Sequence, residues 1–318
     1  MPNEKLDPAS GGSPAGTLQV ALRSDVGKVR TENQDFGLVV TPSQCGSSGG
    51  FLMIVADGMG GHRGGARASR LAAESVRDRF LEARPAEIAD ALVSAIQVAN
   101  AAVFEESTRT AELRGMGTTV SAMVVCGSQA WLAHVGDSRI YRLRGGELEQ
   151  LTQDHSLVAT MMREGLITAD EAAVHPRRNV LQRSVGVAEE IEVDRGDAPV
   201  EPGDTFLLCS DGLHGFVASD EIRQALMLPV ERAAERCIEL AHRAGAPDNV
   251  TVIVCRAELA PGDHSQKTVE VPVGASDAAG GSPRAAGARR ALTAFLFGAA
   301  GATFWFWNEL RAAMRSIG

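Results

Sequence analysis

Four aspartates far apart in the chain, Asp35, Asp57, Asp211 and Asp248, each lie within two residues of Gly or Asn at the edge of an apolar or polar-apolar run. The runs are Asn33-Gln34-Asp35-Phe36, Phe51 to Gly58, Phe206 to Gly212, and Pro247 to Val254. A carboxylate fixed at the tip of a buried strand is partly desolvated, which costs free energy unless a cation or a donor satisfies it. Several such carboxylates brought together also repel one another. Oxygen-only donors of this kind suit Mg or Mn, and the lack of a Cys/His cluster argues against zinc. Two divalent ions held about 3.5 to 4 Å apart in such a cluster generate a hydroxide nucleophile and clamp a phosphoryl oxygen, so phosphoester hydrolysis is the natural use. The phosphate needs a cation as well. Arg30, five residues before Asp35, offers a planar fork of donors, and Arg23 is a less favoured choice. Taken singly, each element is weak: an Asp-Gly pair is more often a turn, and His62, His134 and His155 are more often hydrogen-bonding core or surface groups. Their conjunction carries the reading.

Strands must hold these aspartates. Leu18 to Leu22, Thr119 to Val125 and Ala130 to Val135 alternate or run apolar over strand lengths, with Gly127-Ser128-Gln129 as a hairpin turn. Residues 65–80 and 86–107 carry Ala, Leu, Ile and Val at helical spacing, with Pro85 near a helix start. A second helical pair is predicted over Ser219 to Leu226 and Val230 to Ala244, ended by Gly245. Strands grouped with strands and helices with helices favour α+β layering.

The chain of 318 residues has a formal net charge of -9, which argues against nucleic acid as a partner, because that mode of binding needs clustered Lys and Arg. Cys45, Cys126, Cys209, Cys237 and Cys255 show no paired spacing and read as buried thiols. The N-terminus lacks the apolar stretch of a secretory signal, which places the main domain in a reducing cytoplasm without disulfides. Residues 1–16, rich in Pro, Gly and Ser, read as a disordered tail. A catalytic domain is expected over 17–258, a flexible linker over 259–288, and a membrane anchor over 289–318.

The anchor rests on Ala291 to Trp307, an uncharged run that contains Phe295, Phe297, Phe304, Trp305, Phe306 and Trp307. Extended to Leu310 as a helix it would be about 30 Å long, enough for the hydrocarbon core, and its aromatic end resembles an interfacial belt. A surface-lying helix is the competing reading, but no clear polar stripe supports it. Arg284, Arg289 and Arg290 outnumber Arg311 and Arg315, so the expected topology is a single C-terminal pass through the cell inner membrane with the catalytic domain in the cytoplasm.

The order of the motifs is also informative. Arg30-Thr31-Glu32-Asn33-Gln34-Asp35, Val55 to His62, Met116-Gly117-Thr118-Thr119, His134-Val135-Gly136-Asp137-Ser138-Arg139 and Leu151 to Ser156 follow one another, then Asn179 to Arg183 with Gly186, Gly203 to Leu213, and Asp248-Asn249. Together they resemble the successive motifs of the type 2C metal-dependent serine/threonine protein phosphatases, the PPM family, and its bacterial members in particular. The resemblance covers about residues 17 to 257. It implies a four-layer α/β/β/α sandwich of two antiparallel sheets flanked by helices, with the metal site at one end.

Carried over residue by residue, the resemblance has Asp57 bridging two Mn2+ or Mg2+ ions, Gly58 lending its backbone carbonyl, and Asp211 and Asp248 completing one side. Asp35 would act through or beside metal-bound water, Arg30 would hold the phosphate, and Asp137 would join Asp211 at a weaker third-metal site. The implied mechanism is in-line attack on a phosphoserine or phosphothreonine phosphorus by a hydroxide bridging the ions. Some family members carry a histidine two residues after the bridging aspartate. This chain has Met59 there, which leaves the general acid unassigned, and His62 is a substitute whose ordinary reading is structural. Residues 156–185 resemble the flap beside the active site, with Gln182-Arg183 where many relatives have Thr-Arg.

The implied partners are phosphoprotein substrates and a cognate serine/threonine kinase. Two other readings stand beside an active phosphatase of this kind: a catalytically silent phosphoprotein-binding scaffold, and a phosphatase dedicated to one partner in stress signalling or a secretion apparatus. Nothing in the sequence specifies an oligomeric state.

Overall fold

The computed structural model describes residues 18–42, 50–83 and 88–258, apart from the side chains of 61–63. The expected tail, linker and membrane anchor lie outside the described residues, as do Cys45 and the side chain of His62.

Eleven strands among the described residues form two sheets. The first joins β1 (Leu18–Asp25), β11 (Val250–Ala257), β10 (Thr205–Cys209), β7 (Arg139–Arg144) and β8 (Glu147–Gln150) in that order. The second joins β2 (Asp35–Val40), β3 (Phe51–Met59), β5 (Val120–Cys126), β6 (Gln129–Val135) and β9 (Asp194–Pro199), with the short β4 (Gly117–Thr118) paired to the end of β3. Every ladder is antiparallel.

Side-chain alternation explains the layers. Successive residues of a strand face opposite sides, so a strand covered on both faces reads as a continuous apolar run. Along β3, Met53 and Val55 face the other sheet, where they meet Phe206, Leu208 and Ile253 in one inter-sheet core. Leu52, Ile54 and Ala56 face outward against α1 (Gly61–Glu82) and α2 (Ile88–Arg109). Along β11, Val250, Val252 and Val254 face outward against α6 (Ser219–Leu226) and α7 (Val230–Arg243). Burying each large aliphatic or aromatic side chain contributes about 1.5 to 3 kcal/mol, so the inner strands fix the register of both sheets. The result is helices, sheet, sheet, helices. Helix α2 is long and apolar enough to cross a bilayer, but its Leu92, Ile96 and Val103 belong to the buried core.

The remaining short helices are α3 (Leu157–Arg163), α4 (Ala169–Ala173) and α5 (Asp211–His214). The Ser156 hydroxyl caps α3 by accepting from Ala159 N–H, and Gly165 turns the chain beyond it at φ +71°. The expected hairpin turn is shorter by one residue, because β6 begins at Gln129 and Gly127-Ser128 alone make the turn. A second difference bears on the site. Asp57, expected at a strand tip, lies inside β3, which continues because Gly58 and Met59 pair with Thr118 and Gly117 of β4.

Candidate metal centre

The two sheets bring the aspartates to one end of the sandwich. Asp35 opens β2 directly opposite Asp57 of β3 in the second sheet. Asp211 starts α5 just past β10, and Asp248 precedes β11, both beside strands of the first sheet. Asp137 lies on the short connection by which β6 of one sheet reaches β7 of the other. Asp57, Gly58, Asp137, Asp211 and Asp248 line one cavity of about 520 Å³, and Arg30 is the cation on its wall. Asp35 is absent from that lining and is buried directly opposite Asp57.

Backbone contacts fix these side chains. Asp57 N–H donates to Thr119 Oγ1, and Asp57 C=O accepts from Thr118 Oγ1 and Thr119 N–H, all at 2.9 Å. Thr119 Oγ1 lies 2.7 Å from Ser138 Oγ, which ties Asp57 to the neighbour of Asp137. A carbon added at Gly58 would lie 2.0 Å from Gly65 O, so no side chain fits where β3 meets α1. A carbon added at Gly212 would lie 1.8 Å from Asn249 O, which keeps α5 against the start of β11. Asn249 accepts from Gln34 N–H at 2.8 Å and donates to Val26 O and Glu32 O, clipping the loop that carries Arg30 to the strand that carries Asp248. Half-buried His214 donates from Nε2 to Asp137 O at 2.9 Å, joining the end of α5 to the Asp137 connection.

The carboxylates disturb one another. Burial, then Asp35, Asp211, Asp137 and Asp248, hold the Asp57 carboxyl well above its usual range. Burial pushes Asp35 up to about 7, against a 2.7 Å hydrogen bond from Ser210 Oγ to its Oδ2. Asp137 rises to about 7 through burial and Asp211, and Asp211 to about 6 through burial and Asp248. Asp35 Oδ1 is buried with no hydrogen-bond partner. An orphaned carboxylate oxygen and a group of mutually repelling oxygens suit a hard divalent cation. Among the described residues, no three His, Cys, Asp or Glu side chains close into a cage. An open arrangement of this kind fits Mg or Mn, which keep several of their waters.

Arg30 is half exposed, and its Nη2 reaches Asp248 Oδ2 at 2.8 Å, an interaction that raises its pKa. Arg23, the less favoured cation, is placed elsewhere: on β1 it pairs with Glu231 and Glu235 of α7. Met59 lines the cavity where a histidine would stand in some relatives, and its thioether has no proton to give. His134 and His155 are buried, with ring centroids 4.8 Å apart, and do not line the cavity. Thr119, Ser210 and Asn249 lie inside the sequence motifs but residue type alone gives them no role, and His214 lies outside every motif. From the flap, Asn179 and Leu181 form part of the wall.

Comparison with known proteins places this geometry. The protein phosphatase 2C family matches residues 28–249. Serine/threonine protein phosphatase PstP of Mycobacterium tuberculosis is 39% identical over 250 residues, covering 78% of this chain and 46% of PstP, so the chain spans about half the length of that relative. Protein phosphatase PhpP of Streptococcus pneumoniae is 36% identical over 240 residues, covering 74% of this chain and 96% of PhpP. The crystal structure of the PstP catalytic domain in complex with two manganese ions is 37% identical with a TM-score of 0.68, covering 76% of this chain and 99% of that one. With the family pattern running across both sheets and PhpP matched over nearly its whole length, this chain belongs to the protein phosphatase 2C family.

Proposed function

We propose that this chain hydrolyses phosphoserine and phosphothreonine in proteins with two Mn2+ or Mg2+ ions, opposing a serine/threonine kinase. The observation that carries the reading is the convergence of Asp57, Asp137, Asp211 and Asp248 from both sheets on one cavity with Arg30 on its wall. Asp57, Asp211, Asp248 and the Gly58 carbonyl are the groups that would hold the ion pair, and Asp137 with Asp211 would hold a weaker third ion. Bound there, the ions would supply an activated water and neutralise phosphoryl charge.

The protein's own groups do the positioning. One N–H of the Arg30 fork rests on Asp248, which leaves other donors of the guanidinium for phosphoryl oxygens. Ser210 fixes Oδ2 of Asp35 and leaves Oδ1 able to accept a further hydrogen bond. Asn179 and Leu181, in the segment that resembles the flap, line the same cavity.

The experiment is phosphate release by the full chain from a phosphothreonine peptide and from p-nitrophenyl phosphate, with Mn or Mg, for wild type and for Asp57→Ala, Asp211→Ala and Asp248→Ala. Metal-dependent turnover that collapses in the variants is expected. Metal binding without turnover would instead support a silent phosphoprotein-binding scaffold.

The domain division carries a proposal of its own: residues 17–258 act as the catalytic domain, 1–16 and 259–288 as tail and linker, and 289–318 as a single-pass anchor in the inner membrane. Its support is the uncharged, aromatic-rich run from Ala291 to Trp307. The full chain should sediment with membranes and resist carbonate, and release by carbonate would count for a surface-lying helix.

A further inference from the structure

We propose that a second cavity beside the metal centre is a subsite for the substrate segment flanking the phosphorylated residue, accepting an apolar side chain with an acidic neighbour. The inference rests on the phosphatase reading for its substrate. The cavity, of about 350 Å³, is lined by Phe104 and Thr108 of α2, by Arg114 and Gly115, and by Gly186 and Val187 beyond the flap.

Its wall is shared with the metal cavity. A carbon added at Gly60, which lines the metal cavity, would lie 3.1 Å from Gly115 O. A carbon added at Gly117 would lie 2.8 Å from Val187 Cγ2 and 2.9 Å from Met59 Cε. Met59 and Gly60 therefore face one cavity while Val187 and Gly115 face the other, with a barrier about one side chain thick. Above Gly115, at φ +78°, a carbon would meet nothing within 4 Å, so the ridge between the cavities is bare. An extended peptide advances about 3.3 to 3.6 Å per residue, so two to four residues would cross from the phosphorylated side chain to the second cavity.

The lining sets the chemistry. Val187 is 53% exposed and offers an uncovered apolar surface beside Phe104. Arg114 is exposed and, among the described residues, its side chain makes no hydrogen bond or ion pair. Nearby arginines differ: Arg67 is paired with Glu106, and Arg109 with Glu105. An uncompensated guanidinium beside an apolar surface selects a carboxylate next to an apolar group. The subsite is also preformed. Buried Asn100 donates to Ala188 O at 2.9 Å and Glu189 O at 3.0 Å, and accepts from Gly186 N–H at 2.7 Å, which fixes the Val187 segment to α2.

The test uses the full chain and phosphothreonine peptides that differ only two to four residues from the phosphothreonine, with Leu and Glu in one set and Gly and Lys in the other. For wild type, KM should be about five- to tenfold lower for the Leu/Glu set. Arg114→Glu and Thr108→Trp should erase the preference while turnover of p-nitrophenyl phosphate stays at the wild-type level. Equal KM for both sets, or a preference that survives both variants, would overturn the subsite. Anisotropy of the same labelled peptides separates the two readings. A preference seen in binding, with no turnover of any substrate, would sink the hydrolase and leave the subsite. Turnover of p-nitrophenyl phosphate without any peptide preference would sink the subsite alone.

Discussion

Asp57 combines a carboxyl raised by burial and by four neighbouring aspartates with a backbone held at three points by Thr118 and Thr119. An Asp57→Asn substitution keeps the shape and removes the charge. Turnover should fall by about a thousandfold or more, since the proposed bridging oxygen charge is lost. Without metal, the variant should be no less stable than wild type, and about 1 to 2 kcal/mol more stable in urea titration, because a carboxylate repelled by four neighbouring aspartates is replaced by a neutral amide. A large loss of metal-free stability would show that Asp57 holds the fold rather than an ion. His134 gives a prediction of the opposite kind. Ser121 Oγ donates to Ser138 O and so accepts from His134 Nδ1 at 2.9 Å, leaving His134 Nε2 buried without a partner. Burial and His155 lower its pKa from 6.5 to about 4. The unfolded chain therefore binds the proton first, so stability from the neutral ring is present above pH 6.5 and is lost as pH falls toward 4. The loss is up to about 3 kcal/mol. Stability of His134→Asn relative to wild type should rise by up to that amount between pH 7 and 4, as read by denaturant unfolding.

Among elements, the loop between β1 and β2 depends most on a single side chain. Asn249 meets it with one acceptor and two donors, and is itself 4% exposed. Asn249→Ala should cost about 1 to 3 kcal/mol, because it removes three hydrogen bonds to part-buried backbone groups. It should also raise KM for phosphopeptide, since the loop carries Arg30. A stability loss with unchanged KM would mean that Arg30 finds its place without this clip. Asn249 also marks how far sequence reaches. Asp35, Asp57, Asp211 and Asp248 were legible because each stands in a contiguous motif close to Gly or Asn, and α2, α6 and α7 were legible from helical spacing. The clip was not, since its partners Val26, Glu32 and Gln34 lie more than 200 residues away and contribute backbone atoms that leave no signature in residue type. Arg23 is a similar case: only the pairing of β1 with β11 and its packing on α7 removes it from the site.

For the whole molecule, the placement of the carboxylates would make a bound metal a clasp between layers. Asp35 and Asp57 belong to the sheet of β2 and β3, while Asp211 and Asp248 follow β10 and precede β11 of the other sheet. The inter-sheet core of Met53, Val55, Phe206, Leu208 and Ile253 holds the sheets together, but at the acidic end the same approach forces like charges into one cavity. A cation bound there removes the repulsion and is lost on unfolding, so binding free energy adds to stability. At a free Mn concentration about 100 times its dissociation constant the gain is about 2.7 kcal/mol. For a folded region of this size, that corresponds to a rise of about 5 to 10 °C in Tm. Scanning the full chain with Mn, with Mg and with chelator should show this rise for both metals. In Asp57→Asn most of the rise should be absent, because the residue proposed to touch both ions is gone. Asp137→Asn should keep most of it, because Asp137 lies on the connection between the sheets and is assigned to the weaker site. A Tm indifferent to metal in wild type would mean that the two sheets meet at this end without an ion, and the assignment of Asp57, Asp211 and Asp248 as its holders would fall with it.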